Sequence, residues 1–206
     1  IVSPVDLVGT GVDANGVPNG TSNTYDTAGA ITGPGKYSGH GTQVAGLIGA
    51  LYGNGIAGFG GAPEANIMPV KVFGIHEGTT TDAYIAQGIY YAVDHGANMI
   101  NISIDLLGKR YDATTLNDAF DYAKQHGVII ITGAGNSNIN VDSNVSVKTD
   151  NLVVVSSTSE GPFIKSTENP AKDPNSSYGN TVSLSAPGTV GGLSADPSYG
   201  VNSSGL

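Results

Sequence analysis

Short apolar runs alternating with helical stripes constrain this chain more than any other feature of it. Residues 67–73 (IMPVKVF), 99–104 (MINISI), 128–132 (VIIIT), 152–156 (LVVVS) and 182–186 (VSLSA) read as strands. Several are apolar at nearly every position, as strands covered on both faces of a parallel sheet must be. Between them, residues 81–95 place Ile85, Ile89, Ala92 and Val93 on one helical stripe, with Thr81 set to cap the start and Gly96 to end the helix. Residues 115–126 repeat the design with Leu116, Ala119, Phe120 and Ala123, followed by Gly127. Residues 41–52 form a third, small-residue helix. Strand–helix–strand alternation with short loops such as His95-Gly96-Ala97 predicts an α/β fold of three layers: a mostly parallel central sheet with helices on both faces, joined by right-handed crossovers. No repeat or linker divides the sequence, so residues 1–206 are expected to form a single domain.

Composition narrows the function. Hydrophobic residues make up 39% and charged residues 12%, which suits a packed core and argues against disorder. The 8 Lys and Arg residues are scattered and the net charge is −9, so a nucleic-acid partner is not expected, because phosphate neutralisation needs clustered cations. There are no cysteines, which removes disulfides and thiolate metal sites. No apolar run approaches the length of a membrane span. The low charge and high glycine content, 31 residues, resemble a compact extracellular enzyme, secreted or held at the cell surface. The opening Ile1-Val2-Ser3-Pro4, without Met, suggests processing or trimming.

Two segments carry chemistry. In Ser38–Gly46 (SGHGTQVAG), His40 lies between glycines at the start of the small-residue helix, where its imidazole could face a cleft. In residues 132–138 (TGAGNSN), Gly133 and Gly135 surround Asn136 just after a strand, and ligands of α/β sheets bind at the carboxyl ends of strands. Taken alone, each has an ordinary explanation: a surface histidine and a Gly/Asn turn.

Together they resemble the subtilase family of subtilisin-like serine proteases, nearly end to end. The family's HGTxVAG motif is matched by His40-Gly41-Thr42-Gln43-Val44-Ala45-Gly46. Gly55-Ile56-Ala57-Gly58 and Gly61-Ala62-Pro63-Glu64-Ala65 look like its approach to a central strand, and Ala92–Ala97 with Ile100-Asn101-Ile102-Ser103 like its passage beside the substrate cleft. Gly135-Asn136 matches the oxyanion motif, and Ser177-Tyr178-Gly179 with Ser185-Ala186-Pro187-Gly188 matches the late SxYG…APG segment. The resemblance implies peptide-bond hydrolysis by a Ser-His-Asp triad in the chain order Asp, His, Ser. His40 would be the general base and Asn136 an oxyanion donor, a contribution known in subtilisin itself to be about 2.7–4 kcal/mol. Ser103, Ile104, Gly133 and Gly135 would bind an extended protein or peptide substrate. No cofactor is needed for this chemistry. The acidic, Asn-rich loops permit the structural calcium common in the family without specifying it.

The sequence departs from the family at two triad positions. The stretch Val5-Asp6-Leu7-Val8-Gly9-Thr10-Gly11 matches the strand that ends in the triad Asp, but with Gly9 at the Asp position. Asp6 and Asp13 are the other candidate acids, each otherwise a solvated loop carboxylate, and a register with the Asp before Ile1 is also open. The Gly-Thr-Ser-Met-Ala segment of the nucleophile is absent, and Ser203 and Ser204 lack its context, so a further C-terminal segment or a second chain would have to supply the serine. This chain alone is therefore expected to be inactive. Two other readings are a pseudoprotease that keeps the fold as a binding module, and a nucleotide-binding domain. The latter is poorly supported, because neither Gly9-Thr10-Gly11 nor Gly58-Phe59-Gly60-Gly61 forms GxGxxG between a strand and a helix. His95 and His126, each before a helix-ending glycine, and His76 are expected to be structural or surface residues.

Overall fold

The computed structural model describes residues 1–8, 40–53, 59–73, 80–107, 113–143, 150–158 and 174–188. In chain order the elements are β1 (Val5–Asp6), α1 (His40–Gly49), β2 (Val70–Lys71), α2 (Asp82–Asp94), β3 (Met99–Ile102), α3 (Ala113–Gln125), β4 (Ile129–Gly133), a short 3₁₀ turn (Val141–Ser143), β5 (Leu152–Thr158) and β6 (Leu184–Pro187). Among the described residues every strand pairing is parallel, and helices flank the sheets, which is the α/β class read from the alternation. The chain divides into two compact units, one carrying Ile1–Gly88 and the other Ile89–Val190.

In the first unit β1 pairs with β2 in the register Val5↔Val70 and Asp6↔Lys71. The seven-residue apolar run at 67–73 yields only two strand residues. Pro69 lacks an N–H, so the ladder is sustained there by carbonyls: Pro69 accepts from Val5 and Ile67 from Val2. Asp6 is wholly buried in this strand pair, not solvated in a loop. Its carboxylate lies 3.4 Å from the Lys71 ammonium and accepts the Val8 amide at 3.1 Å. Gly88 of α2 packs on the pair, where an added Cβ would stand 3.0 Å from Val72 and 3.3 Å from Val70. Thr81 caps α2 as its sequence position requires, its hydroxyl accepting the Tyr84 amide.

The second unit is built on the sheet β3-β4-β5-β6. Its register runs from Met99↔Ile129 through Ile130↔Leu152 to Val155↔Leu184, so all four carboxyl ends lie on one side. The α3 stripe is buried as its spacing predicts: Leu116, Ala119, Phe120 and Ala123 are fully covered, as is Ile130 of β4. Ile89, Ala92 and Val93 of α2 are buried too, and Tyr90 meets Tyr122 of α3 edge to face at 5.1 Å. Gly96 and Gly127 end their helices at φ 83° and 71°. In each case the two residues past the last turn donate back into it: Gly96 to Val93 and Ala97 to Ala92, Gly127 to Lys124 and Val128 to Ala123. That double bond pattern needs a left-handed residue, which glycine adopts without a Cβ clash. Asn151 fixes the next turn by donating from its side-chain amide to the Val128 carbonyl at 3.0 Å.

Candidate active site

His40 is the first residue of α1 and is exposed. The far end of that helix is held firmly. Gly60, Gly61 and Ala62 donate their amides to the carbonyls of Ala50, Leu47 and Ile48, groups that a helix C-terminus otherwise leaves without partners. Gly60 lies so close to the helix that a Cβ there would fall 2.4 Å from the Ile48 carbonyl oxygen. The helix is therefore a fixed platform with the imidazole at its open end. Gly9 and Asp13 lie outside the described residues, as do Ser203 and Ser204.

In the second unit, Asn136 sits in the loop that leaves the carboxyl end of β4, and it is exposed. The loop's backbone is tied on both sides of it. Before it, the Ala134 amide donates to Val155 and the Gly135 carbonyl accepts from Ser177 at 2.9 Å. After it, the Asn138 amide donates to Asn175 at 3.0 Å, and residues 139–141 exchange bonds with Tyr178. Gly135 at φ 100° and Asn138 at φ 51° make the sharp turns that lift Asn136 outward. Beneath the loop lies an apolar cluster of Leu107, Ala134, Val141 and Val154. The result is a polar side chain presented to solvent on a backbone that cannot easily move.

The segment that holds the other side of the loop, through Tyr178, is itself clamped by Asp142. Its carboxylate accepts the amides of Asn180 and Thr181 and the Thr181 hydroxyl, each at 2.8 Å. These bonds, the Asn180 amide first, hold its pKa below the ordinary carboxylate range. Gly179 at φ 146° is required here, because a Cβ would meet Asp142 Oδ1 at 2.6 Å. Ser177-Tyr178-Gly179, read from the sequence only as a motif, thus serves as the buttress of the Asn136 loop.

Ser103 and Ile104 continue from the carboxyl end of β3 beside this loop. The buried Thr132 hydroxyl reaches across from β4 to the carbonyls of Ile102 at 3.0 Å and Ile104 at 3.3 Å, which keeps the segment extended past the last ladder pair. Ser103 is exposed, and its hydroxyl accepts the Asn101 side-chain amide. Two residues on, Asp105 leans against Gly135: the position of a Cβ on that glycine is only 2.8 Å from Asp105 Oδ1. The structure therefore brings Ser103, Ile104, Gly133, Gly135 and Asn136 to the same ends of β3 and β4. Thr132, Asp105 and Ser177 join them. Sequence reasoning gave these three no role there, because their contacts join residues far apart in the chain.

The other described histidines are structural. The Nδ1–H of His95 donates to the Tyr91 carbonyl at 2.8 Å and its ring stacks on Tyr91; that of His126 donates to the Tyr122 carbonyl at 2.9 Å, with the two rings tilted by 42°. His76 lies outside the described residues. Among the described residues, no group of three or more His, Asp or Glu side chains could hold a metal ion, so the calcium expectation gains no site there. Among the same residues, no helix is long and apolar enough to cross a membrane.

A parallel α/β sheet with a fixed carboxamide at its strand ends, and a histidine opening a small-residue helix, defines a class: subtilisin-like α/β proteins. The chain belongs to the Subtilase family, whose sequence profile matches residues 6–205. It is 33% identical over 178 residues to thermitase of Thermoactinomyces vulgaris, covering 82% of this chain and 59% of that protein. It is 39% identical over 123 residues to the major intracellular serine protease of Bacillus subtilis, covering 59% of this chain and 37% of that protein. Among solved structures it resembles a protease from Pseudoalteromonas arctica, with a TM-score of 0.69 and 26% identity over 90% of this chain and 56% of that one. The chain thus spans 37–59% of the length of these relatives.

Proposed function

We propose that residues 1–206 belong to one catalytic domain of a subtilisin-like serine endopeptidase that acts on protein or peptide substrates outside the cell or at its surface. The observation that carries this reading is the Asn136 loop: an exposed carboxamide at the carboxyl end of β4, with its backbone tied on both sides. Such a donor suits a charge that develops only during reaction, because its orientation is set in advance and need not be reorganised.

In this reading His40 takes the proton from a serine hydroxyl as the oxygen attacks the substrate carbonyl. The tetrahedral oxyanion accepts a hydrogen bond from the Asn136 side-chain amide. His40 then passes the proton to the leaving amine, and water repeats the cycle on the acyl-enzyme. The serine comes from the family's Gly-Thr-Ser segment, which these residues do not include. Ser103 and Ile104 offer backbone to an extended substrate, and Gly133 and Gly135 leave room for it to approach. Asp6 is committed to Lys71 within the β1–β2 pair and is assigned no catalytic role. Asp13 is the remaining carboxylate among the candidates.

Gly9, at the family's Asp position in the best register, favours a second reading as an inactive binding module. Labelling of the full-length gene product with a fluorophosphonate separates the two. The protease reading expects covalent labelling that His40→Ala abolishes. Absence of labelling in the folded wild-type protein supports the inactive module.

A further inference from the structure

Asp105 introduces a charge where the proposed substrate groove needs an explanation for one. It follows Ser103-Ile104, the segment assigned to backbone pairing with substrate, and precedes Leu106 and Leu107, which are fully buried and anchor it. Its carboxylate fills the space where a side chain on Gly135 would stand, with Oδ1 at 2.8 Å and Oδ2 at 3.1 Å from that position. Gly135 directly precedes Asn136. The carboxylate is exposed, and among the described residues it makes no ion pair or hydrogen bond. The lysines of the described ion pairs, Lys71 and Lys124, are engaged by Asp6 and Asp150. A negative charge thus stands beside the proposed oxyanion donor, and among the described residues no cation pairs with it.

We propose that Asp105 selects substrates with a cationic side chain, Arg or Lys, on the residue whose carbonyl is attacked. This rests on the protease reading above. In that reading the attacked residue of the substrate is held at Asn136, and the Asp105 carboxylate lies against Gly135, the residue directly before it, within reach of a long side chain on the attacked residue. A long cationic side chain there meets the carboxylate. A guanidinium can engage both oxygens at once, and an ammonium one of them. An acidic side chain at the same place is repelled, which adds exclusion to attraction.

The test is a panel of otherwise identical peptides with Arg, Lys, Leu or Glu at that residue, cleaved by the full-length gene product and by its Asp105→Asn and Asp105→Glu variants. The wild type is expected to favour Arg and Lys over Leu by about tenfold to a hundredfold in kcat/KM, the worth of one charge-assisted hydrogen bond, and to reject Glu. Asp105→Asn should bring the ratio of Arg to Leu kcat/KM down to about one, with a thermal unfolding midpoint and fluorophosphonate labelling like those of wild type showing that the fold and the nucleophile are intact. Asp105→Glu should restore part of the preference, and added salt should weaken the wild-type preference. Cleavage with no cationic preference, or a preference that survives Asp105→Asn, overturns the inference and leaves the protease reading standing. Failure of the folded wild type to cleave any peptide overturns both.

Discussion

Asp6, one of the candidate acids in the sequence, is wholly buried beside Lys71. Its carboxylate lies 3.4 Å from the Lys71 ammonium, out of reach of water. Removing one member of a buried ion pair strands the other charge away from water, which costs more than the pair contributes. Asp6→Asn or Lys71→Met alone is therefore expected to destabilise the protein by about 3–5 kcal/mol in denaturant unfolding. The double variant should recover much of that loss. Equal and additive losses would show that the two groups do not act as a pair. The signal for this role was present but weak: Lys71 is the one charge in an otherwise apolar run, and a lysine in a buried strand needs a carboxylate partner.

The elements depend on a few tight contacts that also position the candidate site. At the closed end of α1, Gly60 approaches Ile48 and Gly49 so closely that a Cβ would overlap main-chain atoms, which cannot swing aside. Gly60→Ala is expected to cost more than about 3 kcal/mol, against under about 1 kcal/mol for an alanine at an ordinary exposed loop glycine, measured by thermal unfolding. The turn at Asp142 adds a pH dependence. Its lowered pKa means that the folded state holds the ionised form more strongly than the unfolded chain does. Its stabilising effect is thus complete above about pH 4, the ordinary Asp value, and fades as pH falls through that value and on through the lowered one. Asp142→Asn should lower Tm at pH 7 and match the wild type once both are measured well below pH 3. A Tm difference that stays constant across that range would assign the effect to shape instead of charge.

At the scale of the molecule, the parts that could be read from sequence are those set by periodicity. The α3 stripe, the caps at Thr81, Gly96 and Gly127, and the parallel character of the sheet follow from residues near one another in the chain; the order of its strands does not. Strand lengths were less legible: Pro69 cuts β2 to two residues, while β5 runs to Thr158 because its polar end continues to pair with β6. The positions of His40 and Asn136 at a helix start and a strand end could be read from their flanking glycines. The contacts that hold them could not. Ser177 to Gly135, Thr132 to Ile104 and Asp105 against Gly135 all join residues about thirty or more apart in the chain, and no local pattern announces them.

In a working protease the Asn136 carboxamide stabilises a charge that exists only in the transition state. Steady-state kinetics of Asn136→Ala in the full-length gene product, on a peptide the wild type cleaves, measures this directly. The expected result is a fall of about 10²–10³ in kcat with KM nearly unchanged, the loss established for such a donor in subtilisin. A kcat within about threefold of wild type, or a loss confined to KM, would contradict it.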